Sequence, residues 1–144
     1  MSKPFKLAVK AVILDEQQRC LLVRRSAFNH SFVDCWEWPG GKVDDGEAFA
    51  DAVLRETREE TSLEIEMTGL AGATKFEMPA VNVVLLCMEA RVVSGELRLI
   101  EEHEEFAWVS ILEVPQRNIL ETMKPALKNL LDKRKCHEYK SRFH

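Results

Sequence analysis

The apolar positions fall into short runs that alternate with turn-forming residues, which predicts a chain built mainly of strands with two helices. Residues 7–14 are apolar and β-branched apart from Lys10, and they read as a strand. Asp15-Glu16-Gln17-Gln18 reads as a turn and residues 20–24 as a second strand, so the two together predict a β-hairpin. A polar loop follows over 26–34. Trp36-Glu37-Trp38 then gives a brief strand stopped by the turn residues Pro39-Gly40-Gly41. Extended segments are expected at 65–75, 81–93, 96–100 and 106–109, with one helical turn at 111–114 ended by Pro115. Helical spacing of Met123, Leu127, Leu130 and Leu131 marks the packed face of a last helix over 123–135, leaving 136–144 as a polar, frayed tail.

The segment 47–61 carries the other helix, and its pattern is unusual. At about 100° per residue, Phe49, Ala52, Val53 and Leu63 share one face, which should point inward. Glu56 and Glu60 continue that same stripe, with Glu59 at its edge. A solvated acidic face is one reading. Against it, Glu56 and Glu60 lack a cation on their own stripe, and partly buried carboxylates without a partner are costly. A divalent cation such as Mg²⁺ or Mn²⁺, held by hard carboxylate oxygens, is the other reading. The glycines just upstream permit a close turn with free carbonyls. Gly40-Gly41-Lys42 is not a phosphate-binding P-loop, because the GxxxxGK spacing and the following Ser or Thr are absent.

Composition narrows the field further. The chain has 144 residues, 46% hydrophobic and 31% charged, which suits one soluble domain spanning 1–144. A net charge of −4 argues against a general nucleic-acid polymer partner. No run approaches the ~18 apolar residues of a membrane span, and the N-terminus lacks the pattern of a signal peptide. The four cysteines, Cys20, Cys35, Cys87 and Cys136, form no CxxC pair, and free thiols fit a cytoplasmic location. Nothing in the sequence sets an oligomeric state.

From Gly41 onward the charged residues fall into a known pattern. Gly41, then Glu47 after five residues, then Arg55-Glu56-Thr57-Arg58-Glu59-Glu60-Thr61-Ser62-Leu63 after seven more, resembles the Nudix box, Gly-x5-Glu-x7-Arg-Glu-U-x-Glu-Glu-x-Gly-U with U a bulky aliphatic residue. Trp36-Glu37-Trp38-Pro39-Gly40-Gly41-Lys42-Val43 resembles the MutT-like branch of that family. Thr57 stands in place of the aliphatic residue and Ser62 in place of the closing glycine, which predicts a shifted helix end with the glutamates intact.

The resemblance implies an α/β fold, an α/β/α sandwich around a central mixed β-sheet. It implies divalent-metal-dependent hydrolysis of a nucleoside diphosphate linked to another group, with Mg²⁺ as cofactor and Mn²⁺ as a substitute. By the same resemblance Glu56, Glu59 and Glu60 are catalytic metal ligands, with Glu56 the candidate base, and Gly40 offers a carbonyl. Glu102, with Glu105 as second candidate, adds a carboxylate from a preceding loop. Glu47 and Arg55 brace loop to helix, and Arg25 contacts substrate. Trp38, Phe76 and Phe28 are aromatic candidates for stacking a base.

The implied partner is a small nucleotide. The favoured reaction is (d)NTP pyrophosphohydrolysis to a monophosphate and pyrophosphate. The alternatives are ADP-ribose or another nucleoside-diphosphate sugar, suggested by Pro79, and a catalytically silent binding module. Met123-Lys124-Pro125 stands where oxidised-guanine enzymes carry an asparagine, and Asn118 lies five residues earlier.

Overall fold

Strand β1 (Phe5–Ile13) runs through the middle of the molecule with Val9, Ala11, Val12 and Ile13 sealed from solvent. The computed structural model describes residues 2–143, with side chains through Lys135. Strands β2 (Arg19–Arg25), β3 (Trp36–Glu37) and β4 (Gly40–Lys42) precede helix α1 (Phe49–Thr61). Then come β5 (Glu64–Glu77), β6 (Asn82–Ser94), β7 (His103–Ser110) and helix α2 (Lys124–Phe143), with short 3₁₀ turns between.

These strands form two sheets. A mixed four-stranded sheet has the order β4-β1-β6-β5, with β1 parallel to β6, and an antiparallel three-stranded sheet has the order β3-β2-β7. The period-2 alternation of β1 explains how helices cover both sides. Val9, Ala11 and Ile13 pack with Ala52, Val53 and Leu63 of the α1 region. Val12 packs on the opposite side with Trp38, Leu85, Met123 and Leu130, under α2. This is the α/β sandwich with a mixed sheet that the motif implies.

Several sequence expectations are corrected. β1 and β2 do not form a hairpin ladder, for they belong to different sheets and share only the bridge Leu14–Cys20. β1 is apolar on both faces, so it takes an interior place between β4 and β6. Pro39-Gly40-Gly41 is not merely a turn, because Gly40–Lys42 pairs with β1, with Lys10 opposite Gly40. No strand forms over 96–100. Pro115 lies inside a 3₁₀ turn instead of ending it. Phe49 is 40% exposed, so the buried face of α1 begins at Ala52.

The end of α1 is not shifted. Ser62 adopts the left-handed conformation, φ 64° and ψ 13°, and its amide closes on the Arg58 carbonyl. A serine has taken the angles of a C-terminal glycine, at a cost of about 1 kcal/mol. Helix α2 spans Lys124–Phe143, so the expected end at Lys135 falls inside it. The side chains of the expected tail, 136–144, lie outside the described residues. Among the described residues no helix is long and apolar enough to cross a membrane.

Candidate active site

Strand β4 and helix α1 meet at two glycines. The Gly40 amide donates to Glu60 Oε2 at 2.8 Å. A Cβ on Gly40 would stand 2.0 Å from the Val9 carbonyl oxygen, and one on Gly41 would stand 2.6 Å from the carboxyl of Glu56. Glycine at position 40 therefore lets β4 lie against the β1 backbone, and glycine at position 41 leaves room for the Glu56 carboxyl, which a side chain there would push aside.

The three glutamates of α1 differ in environment. Glu60 is buried; burial is the main cause that pushes its carboxyl up to about 8, opposed by Lys10 and by the Gly40 amide. Glu56 is half-buried and is also raised, first by burial, with Arg55 opposing. Glu59 is exposed and pairs with Arg55 Nη1 at 3.3 Å. Arg55 is the hub of this edge. It grips Glu47 in a two-point pair at 2.8 and 2.9 Å, reaches Glu56 at 3.1 Å and donates to the Lys42 carbonyl at 3.2 Å. Those bonds hold the Glu47 carboxyl down to about 2. Glu47 also accepts from the Asp44 amide, so the loop is clasped to the helix.

Behind Glu60 lies a second charged group that sequence reasoning missed. Glu37 on β3 is almost fully buried and is held by three partners. Lys10 Nζ of β1 stands at 2.5 Å, Arg25 Nη1 of β2 at 2.9 Å and His103 Nε2 of β7 at 3.3 Å. Burial alone would raise Glu37, but Lys10, His103 and Arg25 prevail and hold it well below the usual carboxylate range. Lys10, opposed by burial, is held charged by Glu37 and Glu60. The sequence clue was a single charge inside each of two buried strands. Lys10 supplies Glu60 with the nearby cation that the α1 stripe alone lacked.

The remaining candidates separate. Glu102 offers its carbonyl to the Ser26 amide at 2.9 Å and to Asn29 Nδ2 at 2.6 Å, which ties its loop to the residues after β2. Glu105 is occupied by Arg24 Nη2 at 2.8 Å. Arg25 is not a solvated strand end, since it is fixed between Glu37 and the Ser31 carbonyl. Trp38 is corrected: with no exposed surface it cannot stack a base. Phe76 is half-buried against the α2-side core, whereas Phe28 is 57% exposed. Met123 is fully buried and its Sδ accepts from the Trp38 amide at 3.3 Å, so this position reads no base. Cys20, Cys35 and Cys87 are free thiols.

Among the described residues, no three His, Cys, Asp or Glu side chains stand close enough to share a metal ion. Arg55 Nη1 bonds both Glu56 and Glu59, while the Gly40 amide donates to Glu60. The donor set nonetheless fits a hard divalent cation. Glu56 and Glu60 are carboxylates raised first by burial and then by neighbouring carboxylates, Glu59 for Glu56 and Glu37 and Glu56 for Glu60, and added positive charge would settle both.

Comparison with known proteins bears on this geometry. The family profile described as the NUDIX domain matches residues 4–132. An ADP-ribose pyrophosphatase of Methanocaldococcus jannaschii is 29% identical over 106 residues, which cover 72% of this chain and 62% of that protein. The asymmetrical bis(5'-nucleosyl)-tetraphosphatase of Mus musculus is 32% identical over 98 residues, covering 64% of this chain and 67% of that enzyme. Among solved structures, a MutT protein from Methanosarcina mazei Go1 superposes with a TM-score of 0.82 at 28% identity, over 94% of this chain and 99% of that one.

Proposed function

Since the chain belongs to the NUDIX domain family and is built as a MutT-like Nudix hydrolase, we propose that it hydrolyses the diphosphate linkage of a small nucleotide, and that its favoured reaction converts a (d)NTP to a monophosphate and pyrophosphate. The observation that carries this reading is the half-buried Glu56 and the buried Glu60, set against Gly41 and Gly40 at the end of an otherwise apolar helix face.

Glu56, Glu59 and Glu60 would hold a divalent cation, Mg²⁺ or in its place Mn²⁺, with the Gly40 carbonyl and Glu102 as further donors. When bound, that cation supplies positive charge opposite a polyanionic substrate. Every other task falls to side chains already in place. Glu56, raised by burial, is suited to take a proton from an attacking water as its oxygen bonds to phosphorus and the bridging P–O bond breaks. Arg25 stands ready to contact the phosphates, oriented by Glu37. Glu47 and Arg55 keep the loop and helix in register, so the carboxylates do not drift.

A second reading has a specific basis. The archaeal relative is named an ADP-ribose pyrophosphatase, which favours a nucleoside-diphosphate sugar as the alternative substrate. A panel of nucleoside triphosphates, ADP-ribose and dinucleoside polyphosphates, assayed with Mg²⁺ for phosphate and pyrophosphate release, decides between them. No turnover of any nucleotide by a folded protein would leave only a silent binding module.

A further inference from the structure

One irregularity in the three-stranded sheet aims His103 at Glu37. The β2–β7 ladder pairs Arg24 with Glu105 and Arg25 with His103, so Glu104 is an extra residue, a β-bulge. Glu104 and Glu105 both reach Arg24, at 3.3 and 2.8 Å, as two residues set against one do. In an unbroken strand His103 would share the face of Glu105, two positions on. The extra residue turns it over. His103 now faces the same way as its ladder partner Arg25, and as Glu37, which pairs with Val23 two residues before Arg25.

The imidazole so delivered has one polar contact. Its side chain is 2% exposed, and Nε2 lies 3.3 Å from Glu37 Oε2. Nδ1 is buried with no partner among the described residues. A leucine would fill such a place without burying a polar atom, so the contact with Glu37 is what the histidine adds. Facing a carboxylate, Nε2 donates. The same Oε2 accepts from Arg25 Nη1 at 2.9 Å, while Oε1 takes Lys10 Nζ at 2.5 Å. Glu37 is therefore drawn toward β1 by Lys10 and toward β2 by Arg25. The torsion that turns a carboxylate is soft, and His103 weights the contest toward the Arg25 side. Arg25 in turn gives Nε to the Ser31 carbonyl at 3.3 Å and Nη1 to Glu37, so Nη2 is the corner left for a ligand among the described residues. Its side chain keeps 18% exposure, enough for a ligand to meet it.

We propose that His103 is a positioning residue: through Glu37 it fixes the Arg25 guanidinium in the orientation that presents Nη2 to the substrate's phosphates. This rests on the hydrolase reading above, which supplies the phosphates, and adds the residue that aims the arginine. Sealed from solvent, His103 itself meets no substrate. A guanidinium already held at two corners loses less freedom when the third binds an oxyanion. Loss of the imidazole therefore weakens substrate binding and leaves the bond-breaking step alone. A merely structural histidine would change stability and neither of these.

Nitrogen-15 NMR of the full chain follows the Arg25 Nε–H, assigned by its absence from Arg25→Lys. Melting curves and steady-state kinetics accompany it, with Mg²⁺ and the nucleoside triphosphate that the wild type cleaves fastest. In His103→Leu the Arg25 Nε–H should exchange with solvent roughly tenfold faster, the scale of one lost hydrogen bond. KM should rise by about the same factor with kcat unchanged. His103→Gln, whose amide nitrogen can donate where Nε2 does, should restore both. His103→Asn, too short to reach Glu37, should behave as the leucine variant does, and it takes that variant's place if leucine does not fold. An Arg25 signal that ignores the leucine and asparagine variants, or suffers equally in the glutamine variant, overturns the positioning role. So does a loosened Arg25 with an unchanged KM. If the wild type cleaves no nucleotide, the hydrolase reading falls, and the Arg25 exchange rate alone then upholds or overturns the hold of His103 on the arginine.

Discussion

Glu56 and Gly41 approach as closely as a glycine allows, since a Cβ on Gly41 would lie 2.6 Å from the Glu56 carboxyl carbon. The candidate base therefore depends on a missing side chain on the strand beside it. Gly41→Ala should move Glu56 off its position and lower turnover by roughly 100-fold, the scale of an ångström-sized misplacement, while the protein stays folded. Steady-state kinetics beside a thermal melt will check this, and a full rate in the variant would mean the contact is dispensable.

Glu60→Gln should abolish activity and spare the fold. Glutamine keeps an oxygen to accept the Gly40 amide and matches the uncharged form that burial favours in Glu60. The rate should fall by more than the roughly 10- to 100-fold that follows loss of a group behind metal ligands. If most of the rate survives, Glu60 is not part of the cation site.

Without divalent cation, stability should fall as pH rises from about 4.5 to about 8. Glu60 goes from an ordinary 4.5 to about 8 on folding. Between those values the folded state holds a proton that the unfolded state has released, so raising the pH favours unfolding. Glu37 works in the opposite sense at the acid end: its lowered carboxyl gives stability above 4.5 that is lost as pH falls below it. Urea melts in EDTA across this range should show the decline, and Glu60→Gln should remove its upper arm. A flat profile in the wild type would contradict the buried, protonated Glu60.

Ser62→Gly should stabilise the protein by about 1 kcal/mol, by relieving a left-handed serine at the end of α1. Its activity should not change. Urea unfolding measures the difference, and equal midpoints would show that the serine bears no strain there.

Glu37→Ala should destabilise by between about 3 and 5 kcal/mol, because Lys10 would be left charged and buried. A chemical denaturation curve for the variant will show whether the loss reaches that range or stays near that of a surface substitution.

Much of this architecture was legible along the chain, because local periodicity reports burial directly. The inward face of α1 at Ala52 and Val53, and its continuation into Glu56 and Glu60, followed from spacing alone. Partner choice was not legible. Nothing in residues 7–24 shows that β1 and β2 enter different sheets, since period-2 alternation identifies a strand without naming its neighbour. Lys10 and Glu37 lie 27 positions apart and meet only because β1 and β3, strands of different sheets, come together. Trp38 has the composition of a stacking residue, and only the packing of α2 and Met123 around it shows that it is core.

The four-way junction at Glu37 also sets how this protein can change over generations. Lys10 comes from one sheet and Arg25 and His103 from the other, so a single carboxylate binds groups that three separate strands deliver. A lineage that loses Glu37 strands an unpaired ammonium in its interior, and one that loses Lys10 first leaves the carboxylate with two partners and Glu60 without a neighbouring cation. Lys10 and Glu37 should therefore be inherited as a unit, appearing and disappearing together among relatives even where the residues around them drift freely.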